Sequence, residues 1–111
     1  MSNKRVLSGI QPTGNLHLGN YLGAIKNFVV MQNEFQCLFM LADYHALTVK
    51  TQPKTLKENI LNTAASFLAA GLDTKKNIIF CQSKVSAHAD LSWILNCIAR
   101  VGWLNRMTQF K

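Results

Sequence analysis

An α/β fold built on a parallel sheet is what this sequence predicts, and three observations predict it. Short apolar runs of strand length alternate with longer segments whose apolar residues recur every three or four positions, in the order β-α-β-α-β-α. Proline, glycine and asparagine fall between these segments, where turns and helix ends need them. The 111 residues are 49% hydrophobic and 15% charged, a globular composition that excludes a disordered chain, a collagen-like repeat and a long charged coiled coil. A chain of this length buries roughly two thirds of the surface its unfolded form exposes, enough for one core.

The elements follow in order. Val6-Leu7-Ser8-Gly9-Ile10 reads as a short buried strand, and Gln11 to His17 as a loop carrying Pro12, Gly14 and Asn15. Leu18 to about Glu34 reads as a helix whose stripe is Leu18, Leu22, Ile25 and Val29, flanked by Tyr21 and Phe28. Cys37 to Ala42 is a continuous apolar run, the pattern of a strand buried on both faces. Pro53 opens a second helix marked by Leu56, Ile60, Ala64, Phe67 and Leu68 and stopped by Gly71. Ile78-Ile79-Phe80-Cys81 is a third strand. Ser86 is expected to cap a third helix with Leu91, Leu95 and Ile98 toward the core, punctuated by Gly102 and followed by a basic tail, Trp103 to Lys111.

There is no internal repeat and no low-complexity tract. Three strands with right-handed crossovers make one half of a doubly wound nucleotide-binding fold. The sequence stops at Phe110-Lys111 without a turn or cap, so it is expected to be an N-terminal fragment or half domain of a longer protein. The alternative is a small self-sufficient flavodoxin-like domain, although such domains usually need five strands.

Twelve Lys and Arg against five Asp and Glu give a net charge of +7, divided as +3 over residues 1–58 and +4 over 59–111. The excess fits a polyanionic partner, but its even spread equally fits a solvated surface. Cys37, Cys81 and Cys97 are far apart, odd in number and set in apolar runs, which predicts buried free thiols in a reducing compartment. Neither a signal-peptide pattern nor a span of about 18 apolar residues is present, and a soluble, cytoplasmic protein is expected, with no membrane partner.

Ligands of an open parallel sheet bind beyond the carboxyl ends of the strands. That rule selects three places: Gly9 to Asn20, Asp43-Tyr44-His45, and Gln82-Ser83-Lys84. In the first, Gly9, Gly14 and Gly19 let backbone approach a bulky ligand, and the helix start offers free N–H groups to an anion. His17 and Asn20 project from the same turn. The loop matches neither Gly-x-Gly-x-x-Gly nor the Gly-Lys-Ser/Thr phosphate loop. On the residues alone, an uncommon phosphate or nucleotide site and a glycine-rich turn kept for strand–helix packing both remain open. No metal-ligand spacing and no Ser-His-Asp or Cys-His nucleophile is evident.

The run Ser8-Gly9-Ile10-Gln11-Pro12-Thr13-Gly14-Asn15-Leu16-His17-Leu18-Gly19-Asn20-Tyr21-Leu22-Gly23-Ala24 closely resembles the opening of bacterial tryptophanyl-tRNA synthetases, which are class I aminoacyl-tRNA synthetases. His17-Leu18-Gly19-Asn20 stands where that class carries His-Ile-Gly-His, and its fourth residue departs from the class pattern in the way usual for the tryptophan branch. Asp43 to Thr48, Gln82-Ser83, Ala87-His88-Ala89 and Arg106 to Lys111 match as well, so the resemblance spans nearly the whole chain. It implies a Rossmann-like parallel sheet with flanking helices. Residues 1–111 would be the N-terminal half of an ATP- and tryptophan-binding catalytic domain, with the rest of that domain and the anticodon-binding part absent.

The resemblance also implies a reaction: tryptophan is activated with ATP, carrying Mg²⁺ on its triphosphate, and passed to tRNA(Trp). A homodimer is implied for the full-length protein. Gln11, His17 and Asn20 are the implied catalytic residues. Gln11, Pro12, Thr13, His17, Gly19, Asn20 and Lys111 would contact ATP, and Leu7, Gly9 and His45 would line the tryptophan side. The Lys-Met-Ser-Lys-Ser loop of the family is absent from these residues, so weak or no activity is expected of them alone.

Plainer readings stand beside these. His17 could be an ordinary helix-start residue and His45 a structural one. His88 reads as structural, Trp93 and Trp103 as core or interface residues, Met107 and Phe110 as contacts to the missing half or a second subunit, and Lys75, Lys76 and Lys84 as solvated. The competing functions are a nucleotide-binding module without catalysis and another adenylyltransferase, such as the tyrosine-specific synthetase.

Overall fold

The computed structural model describes residues 4–108 and 110. Three parallel strands, β1 (Arg5–Ile10), β2 (Gln36–Leu41) and β3 (Ile78–Cys81), form a sheet in the order β1-β2-β3. Each segment between consecutive strands contains helix, as parallel pairing requires. The expected parallel sheet with flanking helices is what the chain forms.

The register sorts the side chains onto two faces. Val6 pairs with Cys37, Ser8 with Phe39 and Ile10 with Leu41, while Leu7 pairs with Leu38 and Gly9 with Met40. Cys37, Phe39 and Leu41 are buried; Leu38 and Met40 are only half-buried. The strand is therefore buried on one face and not on both, because helices pack fully against that face alone. The core there joins Ile25, Phe28, Phe39, Leu41, Phe67 and Leu72. Phe28 stacks on Phe39 at 4.7 Å between ring centroids, and Phe67 meets both rings edge-on at 5.9 and 6.5 Å. Such offset and edge-to-face pairs suit the ring quadrupole.

The first helical rod has three parts, α1 (Leu18–Asn20), a wider π turn (Tyr21–Ile25) and α2 (Lys26–Met31). It ends at Met31, short of Glu34. Its buried stripe is Ile25 and Phe28, while Leu18 and Leu22 are exposed. The π turn is one cause, since each such turn shifts the phase of every residue beyond it.

A short helix the sequence did not announce, α3 (Asp43–Ala46), follows β2. The long helix α4 (Pro53–Ala69) starts with Pro53 in its first turn, as expected. It closes with a Schellman pattern in which Leu72 N–H donates to the Phe67 carbonyl at 3.1 Å and Gly71 N–H to that of Leu68 at 3.0 Å. Gly71 has φ +105°, which only glycine adopts without strain. Leu68 faces solvent and not the core.

At the amino-terminal end of β3 two buried amides tie the elements together. Gln32 donates to the Gly71 carbonyl at 3.0 Å and accepts from the Asp73 N–H at 3.0 Å and the Asn77 amide at 2.8 Å. These bonds satisfy polar groups that burial would otherwise penalise.

The last helices depart most from expectation. A 3₁₀ turn (Gln82–Lys84) leads into α5 (Ser86–Ile98), and Ser86 is its first residue, with no side-chain cap at Val85. Leu91, Leu95 and Ile98, expected to face the core, are 57%, 51% and 67% exposed. Helix α5 lies over the open face of the sheet, where Leu7 and Ile78 are also exposed, and nothing among the described residues covers it from the other side. The break falls at Ala99-Arg100 and Gly102 sits inside α6 (Val101–Leu104), so Gly102 is not the punctuating residue. Trp93 and Trp103 are exposed, and the Arg100 guanidinium lies 5.2 Å from the Trp103 ring centroid. Of the three thiols expected to be buried, Cys37 is, while Cys81 is half-buried and Cys97, on α5, is exposed.

Candidate functional site

All three places chosen by the topology rule lie at the carboxyl edge of the sheet. The first is organised by local hydrogen bonds. His17 is the N-cap of α1: its Nδ1 accepts from the Gly19 N–H at 3.1 Å, and its own N–H donates to the Asn20 Oδ1 at 3.0 Å. A backbone N–H can only donate, so Nδ1 is the unprotonated nitrogen of the neutral ring and the proton sits on Nε2. The same reasoning turns the Asn20 oxygen inward and leaves its NH₂ to donate elsewhere. The turn thus consumes its acceptors internally and keeps donors, the pattern that suits a phosphate.

Gln11, Thr13, Gly14, His17 and Asn20 line a hollow of about 130 Å³ here, the scale of one phosphoryl group rather than a whole nucleotide. Gly19 is constrained by the ring beside it, since an added Cβ would lie 2.9 Å from His17 Cε1. Pro12 is fully buried and does not line this hollow. Lys111 lies outside the described residues.

The second and third places face each other. Tyr44, His45 and Thr48 from the α3 region and Gln82, His88, Ser92 and Asn96 line a hollow of about 510 Å³. An adjoining hollow of similar size, about 510 Å³, adds Leu7 and Met40 and shares Gln82 and His88. Leu7 and His45 therefore line neighbouring hollows that share Gln82 and His88. Gly9 lies on the same sheet face as Leu7 but lines none of these hollows. The Gln11 amide points toward the His45 carbonyl at 3.5 Å, the long limit of a hydrogen bond, and so connects the first loop to α3.

The residues alone put Gln82 in the third candidate place without giving it a role, and read His88 as structural. Gln82 Oε1 and His88 Nδ1 are buried without a partner, and both residues line the two neighbouring hollows. The position of Gln82 directly after β3 was a usable signal. His88 had none, because its nearness to Phe80, at 6.5 Å between rings, depends on how α5 lies over the sheet. Lys75, Lys76 and Lys84 are exposed, in keeping with a solvated role.

Asp43 is buried, 8% exposed. Its Oδ1 accepts from the Tyr44 N–H at 3.1 Å and from the Ser83 N–H at 2.9 Å. Burial pushes the Cys81 thiol up from its usual range; the Asp43 carboxylate pushes it the same way and Lys84 opposes. Burial alone pushes up Cys37. Both thiols stay protonated at pH 7, and the thiolate is the reactive form. Iodoacetamide is therefore expected to modify Cys97 first and Cys37 last, with Cys81 responding only at clearly alkaline pH. Mass spectrometry of a time course checks the order, and equal rates for Cys37 and Cys97 in the folded protein would refute it.

Among the described residues no three His, Cys, Asp or Glu side chains form a metal-binding group, and no helix is long and apolar enough to cross a membrane.

Comparison with known proteins adds the following. A family model described as tRNA synthetases class I (W and Y) matches residues 2–111. The chain is 58% identical over 108 residues to a tryptophan–tRNA ligase of Rickettsia bellii, covering 97% of this chain and 33% of that protein. It is 57% identical over 106 residues to one of Brucella melitensis, covering 96% and 30%. Its fold is similar to the crystal structure of tryptophanyl-tRNA synthetase from Campylobacter jejuni, with a TM-score of 0.86 and 41% identity over 98% of this chain and 34% of that one. A structure of the Campylobacter protein with ADP and tryptophan gives a TM-score of 0.84 and 44% identity over 93% and 32%. The chain spans about a third of the length of the relatives it matches.

Proposed function

The chain belongs to the class I tRNA synthetases of the W and Y family, and from that premise we propose that it serves tryptophan activation. The chemistry is attack of the tryptophan carboxylate oxygen on the α-phosphorus of ATP. The new bond makes tryptophanyl-adenylate as the bond to pyrophosphate breaks, and the tryptophanyl group then passes to tRNA(Trp) with release of AMP. Tryptophan is favoured over tyrosine because relatives 57–58% identical across nearly all of this chain are tryptophan–tRNA ligases; that observation carries the reading. The proposal includes residues 1–111 as the N-terminal half of a Rossmann-like catalytic domain, a homodimeric assembly and a cytoplasmic location.

Phosphoryl-type transfer asks the protein for alignment and charge stabilisation more than for covalent help. The His17 Nε2–H, the Asn20 amide and the Gln11 amide are donors of the kind needed beside phosphate oxygens. Pro12, Thr13 and Gly19 complete the ATP side, together with Lys111. The loop from Gly9 to Asn20 holds no carboxylate, so Mg²⁺ enters as part of the substrate, carried by the triphosphate. Leu7, Gly9 and His45 form the tryptophan side.

The test is ATP–pyrophosphate exchange by the complete protein. Exchange is expected with tryptophan and not with tyrosine, and residues 1–111 alone are expected to show little or none. Equal exchange with tyrosine would overturn the amino-acid assignment. Gly19→Ala separates site from fold: its methyl displaces the His17 ring from its cap, so the ATP KM should rise about tenfold or more, while thermal stability changes little, the lost cap (about 0.5–2 kcal/mol) being largely offset by alanine's better helix propensity.

A further inference from the structure

We propose that Asp43 is a positioning residue for the amino-acid side of the site, an inference that rests on the tryptophan-activating reading above. Asp43 lines none of the three hollows, and its carboxylate is almost wholly buried. A buried carboxylate is costly unless its oxygens are hydrogen-bonded. Here one oxygen holds two backbone N–H groups, that of the adjacent Tyr44 at 3.1 Å and that of Ser83, 40 residues from Asp43, at 2.9 Å.

What those two amides carry decides the role. Tyr44 and Ser83 each lie in the first turn of a short helical segment, and neither segment has a side-chain cap from its own N-cap residue. Asp43 supplies the missing acceptor to both turns. Tyr44 is followed by His45, and Ser83 is preceded by Gln82. Tyr44, His45 and Gln82 face one another across the same hollow of about 510 Å³. The carboxylate thus sets the distance between the two walls of that hollow from behind. It also fixes α3, whose His45 carbonyl is what the Gln11 amide reaches toward at 3.5 Å. Removing the acceptor releases one wall from the other, which alters the cavity that receives the amino acid more than the His17 turn that receives phosphate.

The experiment compares the complete protein with its Asp43→Ala and Asp43→Asn variants in ATP–pyrophosphate exchange. Asparagine keeps an oxygen that can accept both N–H bonds; alanine keeps none. In Asp43→Ala the tryptophan KM should rise about tenfold or more while the ATP KM changes less than about threefold, and in Asp43→Asn the tryptophan KM should stay within about threefold of wild type. Should Asp43→Ala fail to fold, Asp43→Glu supplies the same test, because its extra methylene pushes the two amides apart while the acceptor is kept. A variant that only loses thermal stability, or one that raises both KM values equally, overturns the positioning role. The wild-type protein tests the reading on which this rests. If it activates a different amino acid, that reading fails, and the KM split for the amino acid it does activate still decides the role of Asp43.

Discussion

Replacing Phe39 with alanine is expected to remove about 3–5 kcal/mol of the chain's stability. Phe39 has no exposed surface and sits on the central strand. Its ring stacks on Phe28 at 4.7 Å and meets Phe67 at 6.5 Å, so one truncation removes the ring against which both helices' aromatics pack. Phe-to-Ala changes in cores cost about 3–5 kcal/mol, made up of lost transfer free energy and the cavity left behind. Domains of this size hold on the order of 5–15 kcal/mol in total, and here one face of the sheet contributes little. Urea unfolding followed by circular dichroism is the measurement. Leu38→Ala is the internal control, because Leu38 is the neighbouring residue on the half-covered face, and its loss should shift the midpoint far less. Equal shifts for the two variants would show that the core does not lie where the structure puts it.

The second large effect is expected at Gly9. A Cβ built there would lie 2.5 Å from the Met40 carbonyl oxygen and 3.0 Å from the Met40 Cβ. Both belong to the strand next door, and a backbone carbonyl cannot swing away as the tip of a flexible side chain can. Gly9→Ala must therefore push β1 from β2 at the Gly9–Met40 pair. Overpacking of this kind costs about 1–3 kcal/mol, and more where backbone must move. Because Gly9 is one residue from the end of β1, the displacement reaches the loop that begins at Gln11 and carries the His17 turn. Gly23→Ala offers the contrast, since nothing lies within 4 Å of a Cβ at Gly23. In the helical rod that change should be neutral or stabilising by up to about 1 kcal/mol. Thermal unfolding of the two variants should therefore shift in opposite directions, and a Gly9→Ala protein as stable as wild type would contradict the β1–β2 pairing.

The parts of the molecule that were legible beforehand are the ones decided within a few residues. The end of α4 at Gly71, its start at Pro53 and the strand–loop–helix course from Val6 to Asn20 follow from local propensities and turn chemistry. The interlock of His17, Gly19 and Asn20 is equally local, its bonds spanning two or three residues, yet the residues alone announced only the helix start and not those bonds. The π turn and α3 were not legible, because the side chains there suit an ordinary helix or a loop equally well. Helix α5 was misread for a different reason. Its apolar spacing is that of a core-facing helix, yet spacing states only that a stripe seeks cover, and no described segment provides it.

What the sequence determined by itself, then, is the alternation of strands and helices, the carboxyl edge of the sheet with its three loops, and the helix start at His17. Tertiary structure alone decided which face of the sheet is covered, that Gln82 and His88 share a hollow with Leu7, and that Asp43 bridges to Ser83. The reason is physical: hydrogen bonds and periodicities between near neighbours are encoded by residue type, whereas a contact 40 residues away, such as Asp43 to Ser83, exists only once the sheet has set two loop ends side by side.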